Sequence, residues 1–292
     1  MGKVIAHIIF YTPWERKRIA RVIFALTMAS LVWSFFSNTL LHQLQHPALK
    51  YPYVDVTYWV MHYMQLPELI TGHFWLALLF DLALFAFCIL CYIYPEKSWC
   101  IWSFIGLYFV YFITFNTFGG HHTNHKIGFL LIAIPFTVVN YKSFNYLWQA
   151  LRYLLLFAYT DAFLWKFFRL AWLHPNQGML IVKKNQAAFL YFEPNTIQAG
   201  IYHWLLQQPL LVNGAFIAGT ILEGLFIAGF FTRKYDKYLL VFSILLPLGF
   251  WFTADAYFFE FLILSLTLVN FHAIYAPRRF SNNLKRGALT PV

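Results

Sequence analysis

The sequence predicts an all-α, polytopic integral membrane protein with about eight transmembrane helices. Three observations lead there. Of the 292 residues, 61% are hydrophobic and 22% aromatic. Only 11% are charged, where a soluble domain averages about 25%. The apolar residues fall into long runs, and crossing about 30 Å of hydrocarbon takes roughly 20 helical residues. The formal charge of +10 is carried in short segments between those runs, a pattern that marks membrane orientation rather than nucleic-acid binding.

The expected spans are Val22–Leu41, Gly72–Tyr94, Trp99–Phe118, His122–Asn140, Tyr153–Trp172, Pro209–Phe231, Tyr238–Phe252 and Tyr257–His272. No Gly/Ser linker, low-complexity tract or internal repeat divides them, so residues 1–292 read as one domain. A short basic N-terminus (about 1–21) and a C-terminal tail (about 276–292) flank it. Arg16-Lys17-Arg18 precedes an apolar run too long for a signal peptide, which is expected to be retained as the first span.

With both termini cytoplasmic, the inner segments hold Lys3, Arg16, Lys17, Arg18, Arg21, Lys97, Lys142, Arg152, Arg233, Lys234, Lys237, Arg278, Arg279, Lys285 and Arg286. The outer segments hold only Lys50, Lys126, Lys183 and Lys184. This asymmetry places the N-terminus inside, and a cytoplasmic (inner) membrane is the expected location. The long connections His42–Thr71, rich in Tyr and Trp, and Leu173–Gln208 then lie outside. Long loops on a rigid scaffold tend to carry function.

The fifth span, Tyr153–Trp172, contains Lys166 between Asp161 and Arg169. An ionisable side chain within a span is costly and marks a site by default. Desolvation favours a neutral amine and a nearby carboxylate favours a charged one. An amine held between the two influences is suited to work as a general base. Asp161, Asp81 and Glu223 are the acids expected near its depth, with Asp255 and Glu260 toward the outer end of the last hairpin. Each also has a structural reading: Lys166 and Asp161 as a helix-packing ion pair, Asp81 and Glu223 as neutral hydrogen-bonded acids, Arg169 as a snorkelling side chain.

Between the third and fourth spans runs Gly119-Gly120-His121-His122-Thr123-Asn124-His125-Lys126. The apolar stretch after it, Ile127–Val139, covers only about 20 Å at 1.5 Å per residue. That helix must borrow a turn from the polar segment, which draws His122 and His125 to the outer hydrocarbon boundary, where each needs a partner.

Two further chemistries are weighed. Cys88-Ile-Leu-Cys91 has redox spacing but lies in an apolar run, where thiols are usually inert. His121/His125 and His42/His46 have i, i+4 spacing. No HxxHH box or HExxH motif accompanies them, and no metal is assigned.

On these residues the chain resembles the vitamin K-dependent γ-glutamyl carboxylases and their bacterial relatives, the horizontally transferred transmembrane (HTTM) domain family. The resemblance lies in the order of Asn124-His125 and Gly128-Phe129-Leu130-Leu131, then Arg152, then Tyr159 to Lys166 and Trp172, and last Glu223 before Arg233-Lys234. It implies that Lys166 is the base that deprotonates a reduced quinone of the vitamin K type. The product of that anion with oxygen then takes a proton from glutamate before carbon dioxide adds. It further implies that His125, with His122, lies at the active site on the outer side, and that Asp161, Glu223 and Trp172 contribute to the quinol pocket. The family's glycine before the lysine is absent from Ala162-Phe163-Leu164-Trp165, and Leu248-Gly249-Phe250-Trp251 stands where a histidine is usual. Two readings stay open. One is a quinol-using enzyme of the oxygenase or carboxylase type. The other is a non-catalytic membrane subunit holding a partner membrane or secreted protein or a lipid, or a redox-support protein like DoxX or MauE.

Overall fold

The computed structural model describes residues 9–44, 63–119, 126–254 and 258–275, and no strand occurs among them. The helices are α1 (Pro13–Phe36), α2 (Leu66–Gly72), α3 (Phe74–Ile93), α4 (Ser98–Gly119), α5 (Ile127–Ala133), α6 (Tyr141–Phe168), α7 (Gln177–Phe192), α8 (Ile197–Leu206), α9 (Pro209–Gly224), α10 (Ile227–Phe231), α11 (Asp236–Ala254) and α12 (Phe271–Tyr275). Short 3-10 segments cover Leu41–Gln43, Ile134–Thr137, Ala171–Leu173 and Phe259–Leu268.

Five segments among the described residues are long and apolar enough to cross a membrane: Pro13–Gln43, Phe74–Ile93, Ser98–Phe115, Pro209–Phe231 and Asp236–Ala254. The other three expected spans take different forms, each for a local reason. Pro135 lacks an N–H and cannot continue an α-helix, so α5 gives way to the 3-10 turn Ile134–Thr137. The expected span Tyr257–His272 is built on the 3-10 segment Phe259–Leu268. The expected span Tyr153–Trp172 belongs to the longer and more polar α6. That helix begins twelve residues earlier, where Asn140 accepts a hydrogen bond from the Lys142 amide, and it stops before Leu170, whose φ of 54° is left-handed.

α1 likewise starts earlier than expected. A reciprocal capping box sets its first turn: Thr12 accepts from the Glu15 amide, and the Glu15 carboxylate accepts from the Thr12 amide at 2.7 Å.

Polar ties gather the chain's connections at one end. Arg16 donates to the carbonyls of Phe136, Val138 and Val139. Lys17 pairs with Glu96, and Ser98 Oγ donates to the Thr137 carbonyl. Tyr11 and Asn145 exchange backbone–side-chain bonds, and Tyr11 donates its hydroxyl to Val269. His272 Nδ1 lies 2.7 Å from Glu15. The start of α1, the α3–α4 turn, the α5–α6 turn, the α10–α11 turn and α12 therefore share the basic end.

At the opposite end, α7 and α8 cap α9 and α11. Tyr202 and Gln186 both donate to the Phe252 carbonyl, one of the last acceptors of α11. A Cβ at Gly178 would stand 2.6 Å from the Val212 carbonyl oxygen, so only glycine admits this approach of α7 to α9. A large buried cluster runs from α1 through Trp148 to Phe271, and a smaller one of Met179, Val182, Tyr202 and Val212 lies under the cap.

Candidate functional site

The candidate site is made by α6 packed antiparallel to α9 and α10. The register follows from their facing pairs. Gly229 leaves room for Leu156, and Gly224 faces the Phe163 ring. The Tyr159 ring stacks on Phe226 with centroids 4.2 Å apart. One turn beyond Phe163, this register sets Lys166 opposite Glu223.

Lys166 Nζ donates to both carboxylate oxygens of Glu223, at 2.5 and 2.7 Å. Helical side chains lean toward the N-terminus of their own helix. The lysine therefore reaches back along α6 while Glu223, on an antiparallel helix, leans the other way to meet it. The carboxylate side chain is 1% exposed and the lysine side chain 23%. The acid is sealed and the lysine side chain is partly exposed. Two rings face the ammonium, Phe250 of α11 at 5.0 Å and Phe216 of α9 at 6.0 Å from their centroids, a cation–π environment.

Tyr159 braces the same helix pair against α11. Pro247 inside α11 cannot donate to the carbonyl four residues back, which is that of Ser243. The Tyr159 hydroxyl donates to that carbonyl at 3.1 Å.

A second ion pair ties α6 to the basic end. Arg152 donates to Asp236 through Nε at 3.0 Å and Nη2 at 2.5 Å, and to the carbonyls of Gly229 and Thr232. Its side chain is 1% exposed. Arg233 donates to Gln149 beside it. Burial, and next the charge of Arg152, hold the Arg233 guanidinium below its ordinary pKa.

Of the residues singled out by sequence, Lys166 and Glu223 come together. Asp161 does not join them: it is exposed on another face of α6. Trp172 lies in the 3-10 turn after α6, partly exposed, with its ring stacked on Phe167. Arg169 lies 3.8 Å over the Trp165 ring. His121, His122, His125 and Asp255 fall outside the described residues, as does the Glu260 side chain. Lys126, which ends the histidine segment, is buried, donates to the Tyr111 hydroxyl at 3.3 Å and sits 4.4 Å from the Phe115 centroid.

Asp81 serves another junction, accepting from the Leu41 and His42 amides with His42 Nδ1 at 2.8 Å. Cys88 and Cys91 are buried, with Cys88 Sγ 3.5 Å from the Phe24 carbonyl. Among the described residues no three His, Cys, Asp or Glu side chains form a metal-holding group.

Sequence reasoning missed Phe216 and Phe250, which are unremarkable among 34 phenylalanines. It also missed Asp236 as the partner of Arg152. The available signal was their shared position at the basic end.

No protein-family model, curated protein or solved structure matches the chain.

Proposed function

We propose that the protein is an inner-membrane enzyme of eight crossings with both termini cytoplasmic, in which Lys166 and Glu223 remove a proton from a lipid-soluble quinol. The observation that carries this reading is the asymmetry of the pair: a sealed carboxylate and a partly exposed lysine, flanked by two phenylalanine rings. A reduced quinone fits that donor set, because flat aromatic molecules pack against phenylalanine and their hydroxyls hydrogen-bond to an amine. When bound, it supplies a hydroxyl whose ionised form reacts with oxygen.

The residues divide the work. Passing the ammonium proton to Glu223 leaves a neutral amine, and low dielectric favours this exchange of two charges for none. The neutral amine then accepts the substrate's hydroxyl proton. Phe216 and Phe250 keep water from competing for it. His125 and His122 are proposed to position the substrate from the outer side, and Trp172 to border its entry. These roles follow the resemblance to the vitamin K-dependent carboxylases.

The test is turnover by purified protein in lipid nanodiscs, given vitamin K hydroquinone and oxygen. Formation of quinone epoxide, abolished by Lys166→Ala and slowed by Glu223→Gln, is the expected result. No epoxide from the native protein, or the same yield from Lys166→Ala, overturns the reading.

One observation favours the non-catalytic alternative. Both Glu223 oxygens hold the one amine, as a purely structural tie between helices also would. That alternative expects no turnover, and the same protein partners co-purifying with the native and Lys166→Ala forms.

A further inference from the structure

Among the acids carried by α1, α3, α6, α9 and α11, the structure pairs all but one. Glu15 accepts from Thr12 and His272, Asp81 from Leu41 and His42, Glu223 from Lys166, and Asp236 from Arg152. Asp161 is exposed on the outside of the bundle and makes no hydrogen bond or ion pair among the described residues.

Its depth makes that costly. Arg152 is fixed to the basic end by Gly229, Thr232 and Asp236. Nine residues on, at 1.5 Å each, Asp161 lies about 14 Å further along α6. On the eight-crossing reading proposed above, on which this inference rests, α6 spans hydrocarbon about 30 Å thick and that is close to the midplane, where ionisable side chains almost always turn inward or pair with one another.

The face around it is otherwise apolar. Phe157, Trp165 and Phe168 are 58%, 59% and 75% exposed. With Asp161 they follow the three- and four-residue spacing of one helical stripe. A carboxylate therefore sits in the middle of an aromatic seam on the membrane-facing side.

We propose that this stripe of α6 docks a transmembrane helix of a different protein, one that places a basic side chain opposite Asp161. Charge complementarity selects that partner. A second copy packed by two-fold symmetry on the same stripe would set Asp161 against Asp161, and like charges in hydrocarbon repel. Nor do the described residues bring a cation there: Arg169, on the same side, is engaged with Trp165 two turns away from Asp161. The aromatic neighbours supply packing surface above and below, and the ion pair sets depth and register.

The test uses the full chain reconstituted in phosphatidylcholine vesicles with a synthetic membrane-spanning helix of leucine and alanine. The helix carries one central lysine, or leucine in the control, and association is read by energy transfer. The expected result is about tenfold stronger association of the lysine helix, in line with polar contacts between membrane helices. Asp161→Leu, which is expected to melt with the native chain because the exposed side chain makes no hydrogen bond or ion pair among the described residues, removes the difference. Asp161→Lys transfers the preference to a helix with central aspartate.

Equal association of the lysine and leucine helices with the native chain overturns the proposal. So does efficient cross-linking of Phe157→Cys to its own copy, which would put a second copy on the face. Neither readout involves quinol chemistry, so this inference and the proposed activity can fail separately.

Discussion

α6 carries two cations that reach its packed neighbours, Arg152 near its middle and Lys166 near its C-terminal end, and the two are held in opposite ways. Arg152 gives its planar fork to both oxygens of Asp236 and reaches two carbonyls at the end of α10. Its side chain is 1% exposed and closed off from a ligand. Lys166 meets both oxygens of Glu223 with one amine, keeps part of its stem exposed and faces two rings. A buried guanidinium that holds a carboxylate through Nε and Nη2 makes a clasp. An ammonium on a flexible stem can shift its partner and exchange a proton. The same helix pair thus provides an anchor at the basic end and a movable charge further along.

The largest expected effect comes from breaking the clasp. Arg152→Met leaves buried Asp236 with only Arg233 at 3.8 Å and is expected to cost about 3 kcal/mol, read as unfolding of the detergent-solubilised protein. Lys166→Met is expected to cost less, because the sealed Glu223 can take up a proton. The double variant Lys166→Met/Glu223→Gln is expected to lie within about 1 kcal/mol of the native protein. Equal losses at Arg152 and Lys166 would erase the distinction between clasp and movable charge.

Helix approach sharpens the comparison at the next level. A Cβ at Gly229, beside the clasp, would stand 2.6 Å from a Leu156 methyl and 2.9 Å from a Leu239 methyl. Gly229→Ala is expected to cost about 1–3 kcal/mol in the same unfolding measurement. At Gly224, beside the Lys166 pair, the nearest atoms are on the Phe163 ring at 3.1 Å, so Gly224→Ala is expected to cost less.

A smaller effect belongs to Tyr159→Phe, which strands the Ser243 carbonyl beside Pro247. About 1 kcal/mol is expected, and Tyr159→Phe should leave the Arg152 clasp undisturbed.

The smallest effect is a change in alkaline stability. Burial pushes Tyr11 up to about 12. A raised value means that the buried neutral phenol stabilises the fold fully below about pH 10, its unfolded value, and that this contribution is lost as pH rises toward 12. Tyr11→Phe is expected to flatten that part of the pH–melting curve.

Much of this architecture was legible in the chain because hydrocarbon imposes a simple rule of length and apolarity. Phe74–Ile93 and Asp236–Ala254 lie within two residues of the expected spans at each end. The rule fails where polar chemistry sets the helix. α6 runs back to Asn140 because an asparagine caps it and because Asn145, Gln149 and Arg152 find partners inside the bundle. Pro135 turned an expected span into a short helix and a 3-10 turn.

At the site, sequence singled out Lys166 and Glu223 separately, but composition contains no register. Their meeting depends on Gly229, Gly224 and the Tyr159–Phe226 stack, contacts that a one-dimensional reading does not hold. For the same reason Asp161, five residues from Lys166 and so on a different face of the helix, was grouped with it.

The most direct measurement is the ultraviolet difference spectrum of a reduced menaquinone mixed anaerobically, at neutral pH, with the protein in nanodiscs. Without oxygen only the proton transfer to Lys166 is in play. The quinol anion band is expected with the native protein and absent with Lys166→Ala. Identical spectra from the two proteins would contradict the assignment of Lys166 as a base.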